Sequence, residues 1–181
     1  LWPYQVRKPI IAAVNGHAVG VGITFSMLCD VRLVAENAKI QYAMVRRGVV
    51  PELASHVILP RVIGFSKAAE LMLTGRMLSG TEAAELGLAS RAVPADQVLT
   101  EAMSLAADMV RDASPVALAV SKQLLWQGVT AGVDEMLSRE GRVISSIARM
   151  PDAVEGVTAF FERRDAVWSG SVNESADDLL E

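Results

Sequence analysis

A glycine-containing turn, Gly20-Val21-Gly22, is the stretch of this sequence best suited to chemistry. It follows an apolar run that ends at Val14 and leads into a second apolar run, Ile23–Cys29. Glycine lets the backbone approach a ligand closely, and the first amides of a helix are unpaired donors at its positive end. Such a turn can hold a phosphate, or an oxyanion that forms only during a reaction. A tight strand-to-helix turn with no chemical role is the open alternative.

Other catalytic and binding patterns fit this sequence poorly. No lysine follows Gly22, as a P-loop requires, and residues 23–25 do not complete a dinucleotide-binding fingerprint. His56 follows Ser55, but the sequence has no G-x-S-x-G elbow, which argues against a Ser–His hydrolase. The two histidines have no nearby cysteine or paired carboxylates, so the sequence predicts no metal site.

Glu52 is the candidate group for moving protons. It follows Pro51 in a loop rich in glycine and proline, just before a helix predicted to begin at Ala54. The alternative is a carboxylate favoured at the start of a helix by the helix dipole. Arg46 and Arg47 lie in the same loop. In a functional interpretation, one of them orients Glu52 or contacts a phosphate. In the simpler interpretation, both lie in a solvated loop and one of them forms a structural ion pair.

The pattern around these groups predicts a mixed α/β core. Apolar runs at Pro9–Val14 and Val31–Ala35 predict buried strands, and the alternation of Ala38–Tyr42 predicts a further strand. Because the connections are short, we expect stacked ββα turns with parallel strands. Helices are predicted at Ile23–Leu28, at Ala54–Ile63, at Ser66–Leu73 with Ser66 as its cap, and at Thr81–Leu86.

From Pro94 onward the pattern becomes helical. Ser114 and Pro115 form a cap followed by proline at the first helical position. We predict helices over residues 95–111, 115–126, 133–149 and 152–163, and a solvated polar tail from about Ser169. The predicted organisation is a core at residues 1–93 and a helical region at residues 94–181.

The composition excludes several classes of partner. The 181-residue chain is 51% hydrophobic and 5% aromatic, with a net charge of −4 and both signs interspersed, which gives no basis for binding nucleic acid. No apolar run approaches the roughly 18 residues that a membrane helix needs. A single cysteine, Cys29, fits a reducing compartment, so we expect a cytoplasmic protein with Cys29 buried in the core.

Several motifs resemble the enoyl-CoA hydratase/isomerase (crotonase) superfamily. They are the run from Lys8 to Gly22 (KPIIAAVNGHAVGVG), Cys29–Ala35 (CDVRLVA), Leu59–Gly64 (LPRVIG), Leu73–Arg76 (LTGR), Glu82-Ala83, Gly87-Leu88 and Phe160–Arg164 (FFERR). The resemblance covers nearly the whole chain with family-like spacing. It implies a crotonase-like spiral of ββα turns followed by a helical region. It also implies that the family's N-terminal third, with the second oxyanion donor and much of the adenine pocket, is missing before Lys8.

The resemblance also assigns roles to residues. The N–H of Val21 matches one of two donors that grip the thioester oxygen of an acyl-CoA. The two glutamates of family hydratases fall on Thr24 and Met44, neither of which can act as a general base. Glu52 matches the carboxylate that moves a proton between two carbons in family members that shift double bonds. Arg163 and Arg164 match a basic pair near the CoA phosphates, with a solvated helix end as the alternative. The implied substrate-binding residues are His17, Gly20, Gly22, Thr24, Met44, Val49, Arg163 and Arg164.

The function implied by the resemblance is that of an acyl-CoA-processing enzyme. Isomerisation of an enoyl-CoA double bond through a stabilised enolate is our first expectation. Hydration of a 2-enoyl-CoA and non-catalytic binding of acyl-CoA are the alternatives. The expected partner is an acyl-CoA thioester, and no cofactor is expected because coenzyme A is part of the substrate. The family's C-terminal helices make trimers, which implies a homotrimer or a dimer of trimers with subunit contacts at Met136, Leu137, Val143 and Ile144.

Overall fold

The computed structural model describes residues 1–173, which belong to two compact units. One unit is Ile10–Ser104 with Trp2, and the other combines Leu1, Pro3–Pro9 and the chain from Leu105 onward. The division lies inside a helix, and the boundary after Val93 stays a prediction. Residues 174–181, which complete the predicted polar tail, lie outside the described residues. Within residues 1–173, no helix combines the length and apolar character that crossing a membrane requires.

Short strands alternate with short helices in the unit Ile10–Ser104. The strands are β1 (Ile11–Val14), β2 (Ala18–Val19), β3 (Val31–Ala35), β4 (Lys39–Gln41), β5 (Met77–Ser79) and β6 (Arg91–Val93). The helices are α1 (Val21–Ser26), α2 (Ser55–Ile63), α3 (Phe65–Thr74), α4 (Gly80–Glu85) and the start of α5 (Val98–Asp112), with a 3₁₀ turn at Met44–Arg47. The predicted α/β core is therefore confirmed, whereas β2, β5 and β6 were not predicted.

The strands form two small sheets. In the first, β3 lies between β1 and β6 and is parallel to both, with Ile11 opposite Val31. In the second, β4 is parallel to β2 but antiparallel to β5. The expectation of parallel strands is confirmed except at β5. Leu33 and Ile40 are completely buried, as is typical of strands covered on both faces.

Gly80, the first residue of α4, lies against the end of β3. A Cβ atom at this position would lie 1.9 Å from the backbone oxygen of Ala35, the last residue of β3. Glycine is therefore required here by space.

The second unit is helical, as the sequence predicts. Its helices after α5 are α6 (Pro115–Gly128), α7 (Val133–Ile147) and α8 (Pro151–Glu162), and a 3₁₀ turn at Pro3–Gln5 belongs to the same unit. The predicted cap of α6 is confirmed, because the Ser114 hydroxyl oxygen accepts the Ala117 N–H. The predicted cap of α3 is wrong. Gly64, with φ of 81°, makes that turn, and Ser66 lies inside the helix.

A small apolar cluster joins α6 and α7. Val116 and Val120 of α6 pack with Val143 of α7, and all three side chains are buried. Val143 is therefore a core residue of its own chain, and its proposed place between subunits is wrong. Leu137 and Ile144, in contrast, are each 62% exposed.

Lys122 ties the beginning of the chain to α6. Its buried ammonium group donates hydrogen bonds to the backbone oxygens of Pro3 and Lys8, at 2.9 Å each. The Tyr4 ring lies 5.4 Å from that of Trp126. These contacts explain why Pro3–Pro9 belongs to the compact unit formed by the later helices.

Asp152 anchors the segment that follows α8. Its carboxylate accepts the backbone N–H groups of Ser169 and Gly170 and the hydroxyls of Ser169 and Ser114. Ser169, where the predicted solvated tail begins, is exposed, but its backbone N–H is bonded to a carboxylate whose residue is only 6% exposed.

Candidate active site

A direct contact between Thr24 and Glu52 is the centre of the candidate site. The Thr24 hydroxyl donates a hydrogen bond of 2.7 Å to Oε1 of Glu52, which lies 28 residues further along the chain. Thr24 is completely buried in α1, whereas Glu52 lies in the exposed loop before α2. The carboxylate is thus held from the protein side and open on the other, as a group that exchanges protons with a ligand must be.

The glycine turn precedes Thr24 in the same helix. Gly20, with φ of 60°, caps α1, donates its N–H to Gln41 and accepts the N–H groups of Ile23 and Thr24. The amide of Val21 makes no backbone hydrogen bond to any residue between 1 and 173. It is available at the positive end of α1, where an oxyanion is stabilised.

The backbone beside Glu52 is strained. Leu53 and Ala54 both adopt left-handed conformations, with φ of 54° and 56°. This conformation costs a non-glycine residue roughly 1–2 kcal/mol. Both the N–H and the hydroxyl of the buried Ser55 donate to the backbone oxygen of Glu52. The loop is therefore fixed on both sides of a strained pair, a feature that clusters at functional sites.

Arg32 holds the opposite end of α1. Its buried guanidinium donates to the backbone oxygens of Ser26, Cys29 and Leu88, at 3.3, 2.7 and 2.9 Å. Burial lowers the pKa of Arg32, but the carbonyls at the C-terminal end of α1 favour a cation. Sequence reasoning missed this residue, although an arginine within an apolar strand signals a buried polar role.

Tyr42 is a second buried polar residue of this unit that sequence reasoning missed. It is 2% exposed, and its hydroxyl has no hydrogen-bond partner within residues 1–173. Burial raises the pKa of Tyr42, the positive charge of Arg32 opposes that rise, and the negative charge of Glu52 adds to it. The phenol is therefore neutral and electrostatically coupled to the candidate base.

Apolar residues accompany Glu52 along its loop. Met44 is buried, and its backbone oxygen accepts the N–H of Val49. Val49 and Val50 are 59% and 70% exposed. The loop thus offers apolar side chains next to an accessible carboxylate, which suits a hydrocarbon ligand.

His17 and Arg46 make contacts with the backbone. Nδ1 of His17 accepts the Lys39 N–H at 3.1 Å and so connects the turn after β1 to β4. Nε of Arg46 donates to the backbone oxygen of Thr74 at 2.7 Å, at the C-terminal end of α3. Arg46 therefore has a structural role, but its partner is a helix end rather than the carboxylate of the expected ion pair.

Arg164 is engaged by carboxylates of its own unit. It donates to Glu155 and Glu162, with shortest distances of 2.6 and 2.7 Å. These hydrogen bonds raise the pKa of Arg164. The pKa of Glu155 is lowered to about 2, mainly by the hydrogen bond from Arg164 and secondly by the one from the Val167 N–H. Arg163 ends α8 in a left-handed conformation with φ of 54°. The contact of this pair with CoA phosphates stays a prediction.

Comparison with known proteins places these features in a family. The crystal structure of a probable enoyl-CoA hydratase/isomerase from Mycobacterium abscessus has a TM-score of 0.89 and 39% identity, over 93% of this chain and 66% of that one. The fold is therefore the crotonase fold. The model of the family described as enoyl-CoA hydratase/isomerase matches residues 3–171. The chain belongs to the enoyl-CoA hydratase/isomerase family.

Curated relatives share the family but are longer. A probable mitochondrial enoyl-CoA hydratase of Dictyostelium discoideum is 37% identical over 91% of this chain and 59% of its own length. The 2,3-dehydroadipyl-CoA hydratase of Escherichia coli is 35% identical over 91% of this chain and 64% of its own length. The chain therefore spans about three-fifths of the curated relatives it matches.

Proposed function

We propose that this chain forms part of an enzyme that isomerises the double bond of an enoyl-CoA. The observation that carries the proposal is the hydrogen bond between Thr24 and Glu52, which holds one accessible carboxylate at the site. Thr24 and Met44 occupy the positions where, by resemblance, family hydratases carry their two glutamates. Moving a double bond needs only one base, because the base returns the proton that it took.

The chemistry follows from the acidity of the C2 proton, which lies next to the thioester carbonyl. Glu52 removes a proton from C2 of a 3-enoyl-CoA, and the electron pair spreads over the dienolate onto the thioester oxygen. The N–H of Val21 stabilises this oxyanion. The protonated Glu52 then returns the proton to C4, and the product is the 2-enoyl-CoA. Mass is unchanged, and the carboxylate is regenerated.

The proposed substrate is an acyl-CoA thioester whose reacting end is apolar. The exposed side chains of Val49 and Val50 beside Glu52 support this choice, because a hydrocarbon gains free energy by covering them. Coenzyme A belongs to the substrate, and we propose no separate cofactor. We also propose a homotrimer or a dimer of trimers, which the exposed Leu137 and Ile144 of α7 support. Light scattering on the full-length protein measures that mass directly.

Hydration of a 2-enoyl-CoA is the second candidate. It is favoured by the names of the curated relatives, since both are hydratases. In that case Glu52 alone would activate water, because neither Thr24 nor Met44 carries a carboxylate.

The test supplies 3-enoyl-CoA and 2-enoyl-CoA separately to the full-length protein and follows products by mass spectrometry and NMR. Conversion of the 3-enoyl ester at unchanged mass supports isomerisation, and a mass gain of one water supports hydration. Glu52→Gln should then reduce turnover at least about a hundredfold, since general-base catalysis contributes roughly 10²–10⁴-fold. Glu85→Gln, at an exposed position of α4, is the matched control.

Two outcomes would overturn the proposal. Full activity of Glu52→Gln would remove Glu52 from the chemistry. Binding of CoA esters by calorimetry without turnover of either substrate would favour a non-catalytic acyl-CoA-binding protein.

A further inference from the structure

We propose that Thr24 is a positioning residue that keeps the Glu52 carboxyl in place both before and after it takes up a proton, an inference that rests on the proposed function. The Thr24 hydroxyl lies 2.7 Å from Oε1 of Glu52 and 3.3 Å from the backbone oxygen of Val21. It is thus placed between a candidate base and a second acceptor that belongs to the oxyanion turn.

A hydroxyl group is suited to this place because it can donate to Oε1 in both protonation states of Glu52. While Glu52 is ionised, the single hydroxyl proton of Thr24 points to Oε1, and the short distance fits a hydrogen bond to a charged acceptor. The proton from the substrate goes to Oε2, the other carboxyl oxygen, and Oε1 remains an acceptor for the Thr24 hydroxyl. The new O–H of Glu52 therefore still faces the substrate, to which it returns the proton. The contact survives proton transfer with every proton accounted for.

The position of Thr24 links the two reacting parts of the site. Thr24 and Val21 lie in the same short helix, so the hydroxyl fixes the carboxylate relative to the amide that is proposed to hold the oxyanion. Thr24 is completely buried and branched at Cβ, which restricts its rotamers. Ser55 holds the backbone of Glu52 in addition. Both ends of the glutamate are therefore fixed, as efficient proton transfer requires.

A purely structural role for Thr24 makes a different prediction. Ser26, in the same helix, is also buried and donates its hydroxyl to the backbone oxygen three residues earlier, that of Ile23. It therefore shares with Thr24 a buried hydroxyl that donates within α1, without the bond to Glu52. Ser26→Ala is the matched control for the loss of a buried hydroxyl from α1.

The experiment compares Thr24→Val, Thr24→Ser and Ser26→Ala with the wild-type full-length protein. Kinetics with 3-enoyl-CoA across the pH range should show kcat of Thr24→Val reduced about tenfold to a hundredfold, because a hydrogen bond to a charged group is lost, while KM changes little. Thr24→Ser should restore most of the activity, and Ser26→Ala should lower stability but leave kcat unchanged.

A measurement without turnover separates this inference from the proposed function. Crystal structures of the variants show the position of the Glu52 side chain directly. Its carboxylate should be displaced in Thr24→Val and should stay within hydrogen-bond distance of the hydroxyl in Thr24→Ser, whether or not the enzyme isomerises 3-enoyl-CoA. An unchanged carboxylate position in Thr24→Val, or equal impairment of Thr24→Ser and Thr24→Val at equal thermal stability, would overturn the role of Thr24.

Discussion

Replacing Asp152 with Asn should destabilise the helical unit in a pH-dependent way. Oδ1 of Asp152 accepts the N–H and hydroxyl of Ser169 at 2.8 and 3.0 Å and the Gly170 N–H at 3.1 Å, while Oδ2 accepts the Ser114 hydroxyl at 2.8 Å. Burial by itself raises the pKa of Asp152, but these hydrogen bonds outweigh it and hold the pKa below its usual value. The ionised form is therefore the one that the fold favours.

The size of the effect follows from what Asn retains. Asn keeps the shape and one acceptor oxygen, but it loses the charge and places an NH₂ group near Ser114. Each hydrogen bond to a charged group contributes about 1 kcal/mol more than a neutral one. Because Asn is neutral, the variant does not bear the cost of burying a charge, and this offsets part of the loss from the weaker hydrogen bonds. We expect a loss of about 2 kcal/mol in the free energy of unfolding near pH 7.

The stability difference between wild type and Asp152→Asn should become smaller as the pH falls. Because the pKa of Asp152 is lowered by folding, its stabilisation is complete above the unfolded-state value of about 3.9 and is lost as the pH falls through the lower folded value. Urea denaturation followed by circular dichroism should therefore show a smaller difference between wild type and Asp152→Asn near pH 3 than near pH 7. Asp165→Asn, at an exposed carboxylate of the same unit, is the control. An equal difference at both pH values would refute this account of Asp152.

Three further substitutions carry clear expectations. Gly80→Ala should cost about 3 kcal/mol or more of unfolding free energy, because the new carbon would lie 1.9 Å from the Ala35 backbone oxygen. The matched Gly141→Ala, inside α7 with nothing within 4 Å of the added carbon, should instead stabilise by up to about 1 kcal/mol, and similar denaturation midpoints for the two variants would contradict both estimates. Tyr42→Phe should raise the unfolding free energy by about 1 kcal/mol, because it removes a buried hydroxyl without a partner within residues 1–173. A lower melting temperature for Tyr42→Phe would show that the hydroxyl is bonded in solution.

Local signals in the sequence predicted the long elements well. Val31–Ala35 was predicted with its observed bounds because a run that is apolar except for Arg32 identifies a strand buried on both faces. The cap at Ser114 was predictable because the bond spans only three residues. Strands β5 and β6 were not predicted, because each has three residues and forms only through pairing with a distant strand.

The candidate site was only partly predictable for the same reason. Glu52 and the Val21 turn stand out by residue type and by resemblance. The bond between Thr24 and Glu52 joins positions 28 residues apart, and no local pattern gives that distance. The left-handed Leu53 and Ala54 were hidden as well, because this conformation normally calls for glycine.

The two backbone contacts of Lys122 also determine when part of the chain can fold during synthesis. Pro3 and Lys8 leave the ribosome well before their buried partner, which follows 119 and 114 residues later. At 5–20 residues per second, that interval is on the order of ten seconds. Throughout that interval residues 3–9 have no docking site, so the helical unit closes around them only after α6 has been translated. A chaperone that binds nascent chains therefore has a defined period in which to hold residues 3–9.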